Sequence, residues 1–133
     1  VQAGCDIVAI HDGARPCTSP ATISSTIAAS REKGAAVASC KVTDTIKFAD
    51  DRNCITQNVD RANLWTVQTP QVFRLEIIRE AMAAVRAQGV TVTDDTAACE
   101  LIGQPVVLVP NENQNPKVTT PADLPWVELL LRQ

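Results

Sequence analysis

The sequence has no excess of positive charge: 12 Lys and Arg stand against 15 Asp and Glu, for a formal charge of −3. A nucleic-acid or anionic-membrane surface would want the opposite balance, so neither is expected as a partner. No run approaches the roughly 20 apolar residues of a membrane span. The opening residues, Val1 to Asp6, carry no basic segment of the kind that begins a secretory leader. The cysteines at 5, 17, 40, 54 and 99 form no C-x-x-C pair, and so lack the close spacing of a zinc site or a disulfide framework. Free thiols in a reducing cytoplasm are expected. There is no initiator Met, the sole methionine being Met82, and the five glycines are isolated, none in a G-x-G loop. A partial chain is the expectation.

What is present suits one α/β domain. The 133 residues are 45% hydrophobic, enough for a core. Cys5–Ile10 reads as a buried strand ending in the polar turn His11-Asp12-Gly13-Ala14-Arg15-Pro16. Ser19 then caps a helix with Pro20 in its first position and Ile23, Ile27 and Ala28 on its apolar face, ending at Gly34. With a second strand at Ala36–Cys40, the order predicts a parallel βαβ unit. The first strand has nothing before it to pair with, which again points to missing upstream sequence.

Val42–Phe48 and Cys54–Val59 flank a polar turn and read as an antiparallel hairpin, an arm over residues 42–61 that packs on something else, plausibly a second subunit. Leu64–Gln71 reads as irregular. A helix over Leu75–Gln88 presents Ile77, Ile78, Ala81, Met82 and Val85 on one face and stops at Gly89. Thr93-Asp94 precede a short helix at Thr96–Ile102, and Pro105–Val109 is a third apolar strand. Thr120 caps a last helix that Pro125 bends or shortens.

Ligands of open α/β sheets bind off the carboxyl ends of strands, so Asp12 and Arg15 are candidates by position. Asp12 could hold Mg²⁺ and Arg15 a phosphate, or the two could simply pair in a polar turn. His11 reads as a strand-end residue bonded to backbone. Arg61 and Lys117 are by spacing solvated cations, Lys117 the less ordinary because it also follows a strand end. Thr45, Thr69 and Thr93 sit beside turns, where local capping is the default.

Six segments go further: His11–Pro16, Asp44-Thr45-Ile46-Lys47, Val59-Asp60-Arg61 with Leu64-Trp65, Gln68-Thr69-Pro70-Gln71, Thr93-Asp94-Asp95, and Lys117–Pro121. In this order the chain resembles the C-terminal part of the 2-C-methyl-D-erythritol 4-phosphate cytidylyltransferase family, over nearly its whole length. The resemblance implies a partial Rossmann-like nucleotidyltransferase sheet with helices on both faces and the hairpin as a dimerisation arm. It implies CTP and an alditol phosphate as substrates, Mg²⁺ or another divalent cation as cofactor, and a homodimer. Arg61 and Lys117 are implied as catalytic cations; Asp12, Arg15, Thr45, Thr69 and Thr93 as substrate contacts, with Asp12 also at the metal. Residues matching Thr45 and Arg61 would reach into the partner's site. A ribitol-5-phosphate cytidylyltransferase shares most of these motifs, and a non-catalytic dimerising fragment is a third reading. Two departures stand out. The Gly-rich phosphate loop of the family is absent, so the isolated chain is expected to be inactive. Pro116 replaces the usual aliphatic residue before Lys117, which could alter how that lysine is presented.

Overall fold

The computed structural model describes residues 4–132. Val1, on which part of the expectation of missing sequence rests, lies outside them. Strand β1 (Ile7–Ile10) is followed by helix α1 (Pro20–Lys33), β2 (Ala35–Lys41), β3 (Lys47–Ala49), β4 (Ile55–Asn58) and β5 (Trp65–Arg74). Then come α2 (Leu75–Gln88), α3 (Asp95–Glu100), β6 (Val107–Pro110), one 3-10 turn at Pro121–Asp123 and α4 (Leu124–Leu131). The main sheet has the order β1-β5-β2-β6, and β3 pairs only with β4.

The segment expected to be irregular is the ten-residue strand β5, and it sits between β1 and β2, antiparallel to both. The first and second strands therefore run parallel to each other but do not touch. The expected βαβ unit is correct in direction and wrong in neighbour; the parallel pair is β2 with β6. The strand escapes sequence reading because its first half is polar and holds Pro70, which cannot donate to a ladder. The structure accommodates this with a bulge. Val37 pairs with Gln71 and Ser39 with Val67, so two steps along β2 span four along β5. Gln68, Thr69 and Pro70 fall in that irregular stretch, where a bulge re-aims side chains. The second half, Pro70 to Phe73, is buried.

Residues Ala35 to Ser39 of β2 are all buried, as in a strand covered on both faces. Phe73 and Ala35 meet Ile78 and Ala81 of α2 and Ala98 and Cys99 of α3 to form the main cluster, with Ile77, Met82 and Val85 packed against it. That is the predicted face of α2, and Gly89 ends the helix in the left-handed region at φ 63°. Strand β1 is less buried than expected because it lies at the sheet's edge, and β6 buries only Val109.

Helix α1 starts as predicted, with the Ser19 hydroxyl accepting from the Thr22 N–H and Pro20 in the first turn. Its buried face is not the predicted one. Thr22, Thr26 and Ser30 point inward, whereas Ile23 is 37% exposed. The hydroxyls are tolerated because each finds an acceptor: Thr22 on Asn111 Oδ1, Thr26 on the Thr22 carbonyl, Ser30 on the Gly34 carbonyl. The last helix begins as a 3-10 turn whose Thr120 and Asp123 form a capping box, with Pro125 in the first turn of α4. No helix among the described residues is long and apolar enough to cross a membrane.

Candidate functional site

The polar cluster forms where β1 ends, where β5 bulges and where the loop after β6 returns. Asp12 follows β1 directly, and its N–H donates to the Thr69 hydroxyl at 3.1 Å. Its Oδ1 accepts from the Ala14 N–H at 3.1 Å, the short-range bond that shapes an Asx turn. Its Oδ2 meets Lys117 Nζ at 2.8 Å. Lys117 first, then the Ala14 N–H, holds the Asp12 carboxyl below the usual carboxylate range. Asp12 thus pairs across the length of the chain with Lys117. The local pairing with Arg15 is not formed.

Arg15 instead donates Nη1 to the Asn115 carbonyl at 2.6 Å, and its buried Nε has no acceptor among the described residues. Val118 N–H donates to the Ala14 carbonyl at 2.8 Å. The turn at 12–15 and the segment at 115–118 are therefore joined by three contacts, Arg15 with Asn115, Asp12 with Lys117 and Ala14 with Val118. Despite Pro116, Lys117 is presented to the cluster. Thr69 also bonds His11 Nδ1 at 3.0 Å, and His11 Nε2 is 3.1 Å from the Arg15 carbonyl. His11 is a backbone-bonded strand-end residue, as expected. A cleft of about 520 Å³ lies alongside, with Arg15, Lys41, Gln68, Asn115 and Trp126 among its walls.

Thr45 and Arg61 form a separate group at the base of the arm. They share a hollow of about 290 Å³ with Asn58, Val59 and Asp60. Arg61 Nη1 donates to the Thr43 carbonyl, bracing the foot of the hairpin. No hydrogen bond or ion pair joins this group to Asp12 or Lys117 among the described residues. Phe48 and Ile55 on the arm are 58% and 68% exposed.

Thr93 is exposed, and the helix cap next to it is Asp94, which accepts from the Ala97 N–H. Asp94 also takes the Gln71 amide at 3.0 Å, tethering that segment to β5 just beyond the bulge. Sequence reading missed Gln68, Asn111 and Asn115, which lie beneath the cluster. The one signal available was the density of Asn and Gln in a loop between a strand and a lysine.

Among the described residues no three His, Cys, Asp or Glu side chains converge. Asp12 supplies a single carboxylate, engaged on both oxygens. That set does not make an all-protein cage. It fits an ion of the Mg²⁺ kind, which keeps waters and takes one or two carboxylates alongside substrate phosphates.

Over residues 1–133 the chain matches the family described as 2-C-methyl-D-erythritol 4-phosphate cytidylyltransferase. It is 43% identical over 128 residues to the protein of that name from Desulforamulus reducens, covering 96% of this chain and 55% of the relative. With that from Caldanaerobacter subterraneus subsp. tengcongensis it shares 44% identity over 133 residues, 100% of this chain and 59% of the relative. Among solved structures it is similar to the Thermus thermophilus enzyme of the same name, with TM-score 0.89 and 35% identity over 98% of this chain and 64% of that one. The 4-diphosphocytidyl-2C-methyl-D-erythritol synthase of Anaerococcus prevotii superposes with TM-score 0.88 at 30% identity, covering 100% of this chain and 62% of that one. The chain thus spans a little over half the length of the curated relatives it matches.

Proposed function

From the premise that this chain belongs to the 2-C-methyl-D-erythritol 4-phosphate cytidylyltransferase family, we propose that the protein joins CTP and 2-C-methyl-D-erythritol 4-phosphate, releasing pyrophosphate. The observation that carries this reading is the cluster of Asp12, Arg15, Thr69 and Lys117, drawn from three distant segments to one end of the sheet. A second alditol phosphate, ribitol 5-phosphate, is disfavoured because the relatives named above are methylerythritol-phosphate enzymes.

The nucleophile is a phosphate monoester, whose second ionisation near pH 6 leaves it charged at neutral pH. No strong base is required. The barrier lies in bringing two anions together in line, so positioning and cationic stabilisation carry the catalysis. Lys117 and Arg15 receive the alditol phosphate, Lys117 exchanging part of its contact with Asp12 for the incoming phosphate. Arg15 contributes a fork-shaped donor set fixed at one end by the Asn115 carbonyl. Thr69 donates to the same ligand from the bulge. Asp12 is the residue that would hold a divalent cation here, and such an ion would supply charge neutralisation for the leaving pyrophosphate. Arg61 and Thr45 act from a second copy of the chain, the arm reaching across a homodimer. The exposed Phe48 and Ile55 support this, since a two-stranded ribbon alone buries little. The five free cysteines suit a cytoplasmic location.

The test is pyrophosphate release by the intact protein with CTP, Mg²⁺ and either alditol phosphate. Preference for methylerythritol phosphate is expected; preference for ribitol phosphate, or turnover with neither, would overturn the reading. The 133-residue polypeptide alone, with no G-x-G loop of its own, is expected to release no pyrophosphate.

A further inference from the structure

A buried primary amide carries two donors and one acceptor oxygen, and each is costly to leave unpaired. Asn115 is 4% exposed and commits all of them across segment boundaries. Its Nδ2 donates to Gln68 Oε1 at 3.2 Å and to the Thr69 carbonyl at 3.0 Å, both in the β5 bulge. Its Oδ1 accepts from the Thr18 hydroxyl at 2.8 Å, in the loop that leads into α1. Its own carbonyl takes Arg15 Nη1 at 2.6 Å. Gln68 Oε1 is also held at 3.1 Å by the Asn111 amide, so the bulge is pinned from two points of one loop.

An aspartate at this place would turn an acceptor toward two acceptors, and an aliphatic side chain would take the amide donor from the Thr69 carbonyl and one of two partners from Gln68 Oε1 and from the Thr18 hydroxyl. Only an amide meets two acceptors and one donor here. Lys117 lies two residues further along, between the Arg15–Asn115 contact and the Val118–Ala14 contact.

We propose that Asn115 is a positioning residue, its side-chain amide setting where Lys117, Arg15 and Thr69 stand relative to one another and thereby governing use of the alditol phosphate. The statement about substrate rests on the functional reading above; the statement about placement does not. Displacing a catalytic group by about 1 Å can cost on the order of 10²-fold in rate. In the intact protein, Asn115→Ala is expected to lower kcat/KM for methylerythritol phosphate about 10- to 100-fold, with its KM raised and that for CTP within about threefold. Asn113→Ala, in the same loop but exposed, is expected to leave both unchanged.

A second readout needs no turnover. A crystal structure of Asn115→Ala is expected to show Lys117 Nζ moved away from Asp12 Oδ2, against the 2.8 Å contact of the wild type. Wild-type kinetics in Asn115→Ala would overturn the proposal. So would a kcat that falls in step with the unfolded fraction while both KM values stay put. If the wild-type protein turns over neither alditol phosphate, the functional reading falls and the Lys117–Asp12 contact in the Asn115→Ala structure decides placement alone: unmoved, it refutes the proposal. Should Asn115→Ala not fold, Thr18→Val removes one partner of the amide and is expected to give the same pattern at roughly three- to tenfold; no effect there would equally refute it.

Discussion

The sequence holds two phenylalanines, and the fold assigns them opposite fates. Phe73 is 0% exposed on the central strand, where its backbone faces Val8 on one side and Ala35 on the other. Its cluster neighbours include three alanines and a cysteine, Ala35, Ala81, Ala98 and Cys99. Small neighbours on two strands and two helices have little side chain with which to fill a void. Phe→Ala in a core costs about 3–5 kcal/mol, and more the less the site collapses, so Phe73→Ala should fall at about 4–5 kcal/mol. Against a total of roughly 5–15 kcal/mol this is a large fraction. At about 4 °C per kcal/mol it lowers Tm by roughly 15–20 °C. Phe48, 58% exposed on the arm, should lose less than about 0.5 kcal/mol within a subunit when changed to Ala. Urea denaturation of the intact protein by circular dichroism measures both. A Phe73→Ala loss below about 2 kcal/mol, or equal losses for the two variants, would refute the placement of β5 at the centre of the sheet.

Burial first, then the charges of Asp95 and Asp94, pushes the Cys99 thiol up to about 11; a thiol reagent at pH 8 should therefore label the exposed Cys5 and Cys54 readily and reach Cys99 only in denaturant. The Asp123 carboxyl is held below its ordinary 3.8 by the Thr119 and Thr120 N–H groups and their hydroxyls. A carboxyl depressed on folding stabilises in full above its unfolded value and loses that contribution as pH falls through the folded one. Urea midpoints should thus drop on acidification below about pH 4, and Asp123→Asn should flatten that limb. Gly34 sits at φ +97° with a Cβ position 2.5 Å from Ile77 Cδ1, so Gly34→Ala should destabilise by about 1–3 kcal/mol, read from the same urea curves.

Local chemistry is legible in the sequence alone. The Ser19-Pro20 helix start, the Gly89 stop, the apolar face of α2 and the projecting hairpin each follow from a cap, a breaker or a period. What escaped depends on distant partners. Strand β5 hides because Thr66, Gln68, Thr69 and Gln71 are polar and Pro70 cannot donate to a ladder, so a strand at the centre of the sheet opens looking like a loop. The inward face of α1 hides because a threonine becomes a core residue only when an acceptor such as Asn111 waits opposite. Asp12 and Lys117 were each visible as candidates, while their pairing depends on a return of the chain that no local spacing encodes. Asn115 was passed over because a loop asparagine gives no hint that four partners from two distant segments converge on it.

The cluster at the end of β1 and β5 stands or falls on Lys117. Lys117→Met in the intact protein keeps the stem and removes the charge that meets Asp12 at 2.8 Å. If this lysine holds the attacking phosphate, kcat/KM for methylerythritol phosphate with CTP drops about 10²- to 10³-fold while the urea midpoint barely moves. Turnover within about threefold of wild type would contradict the account.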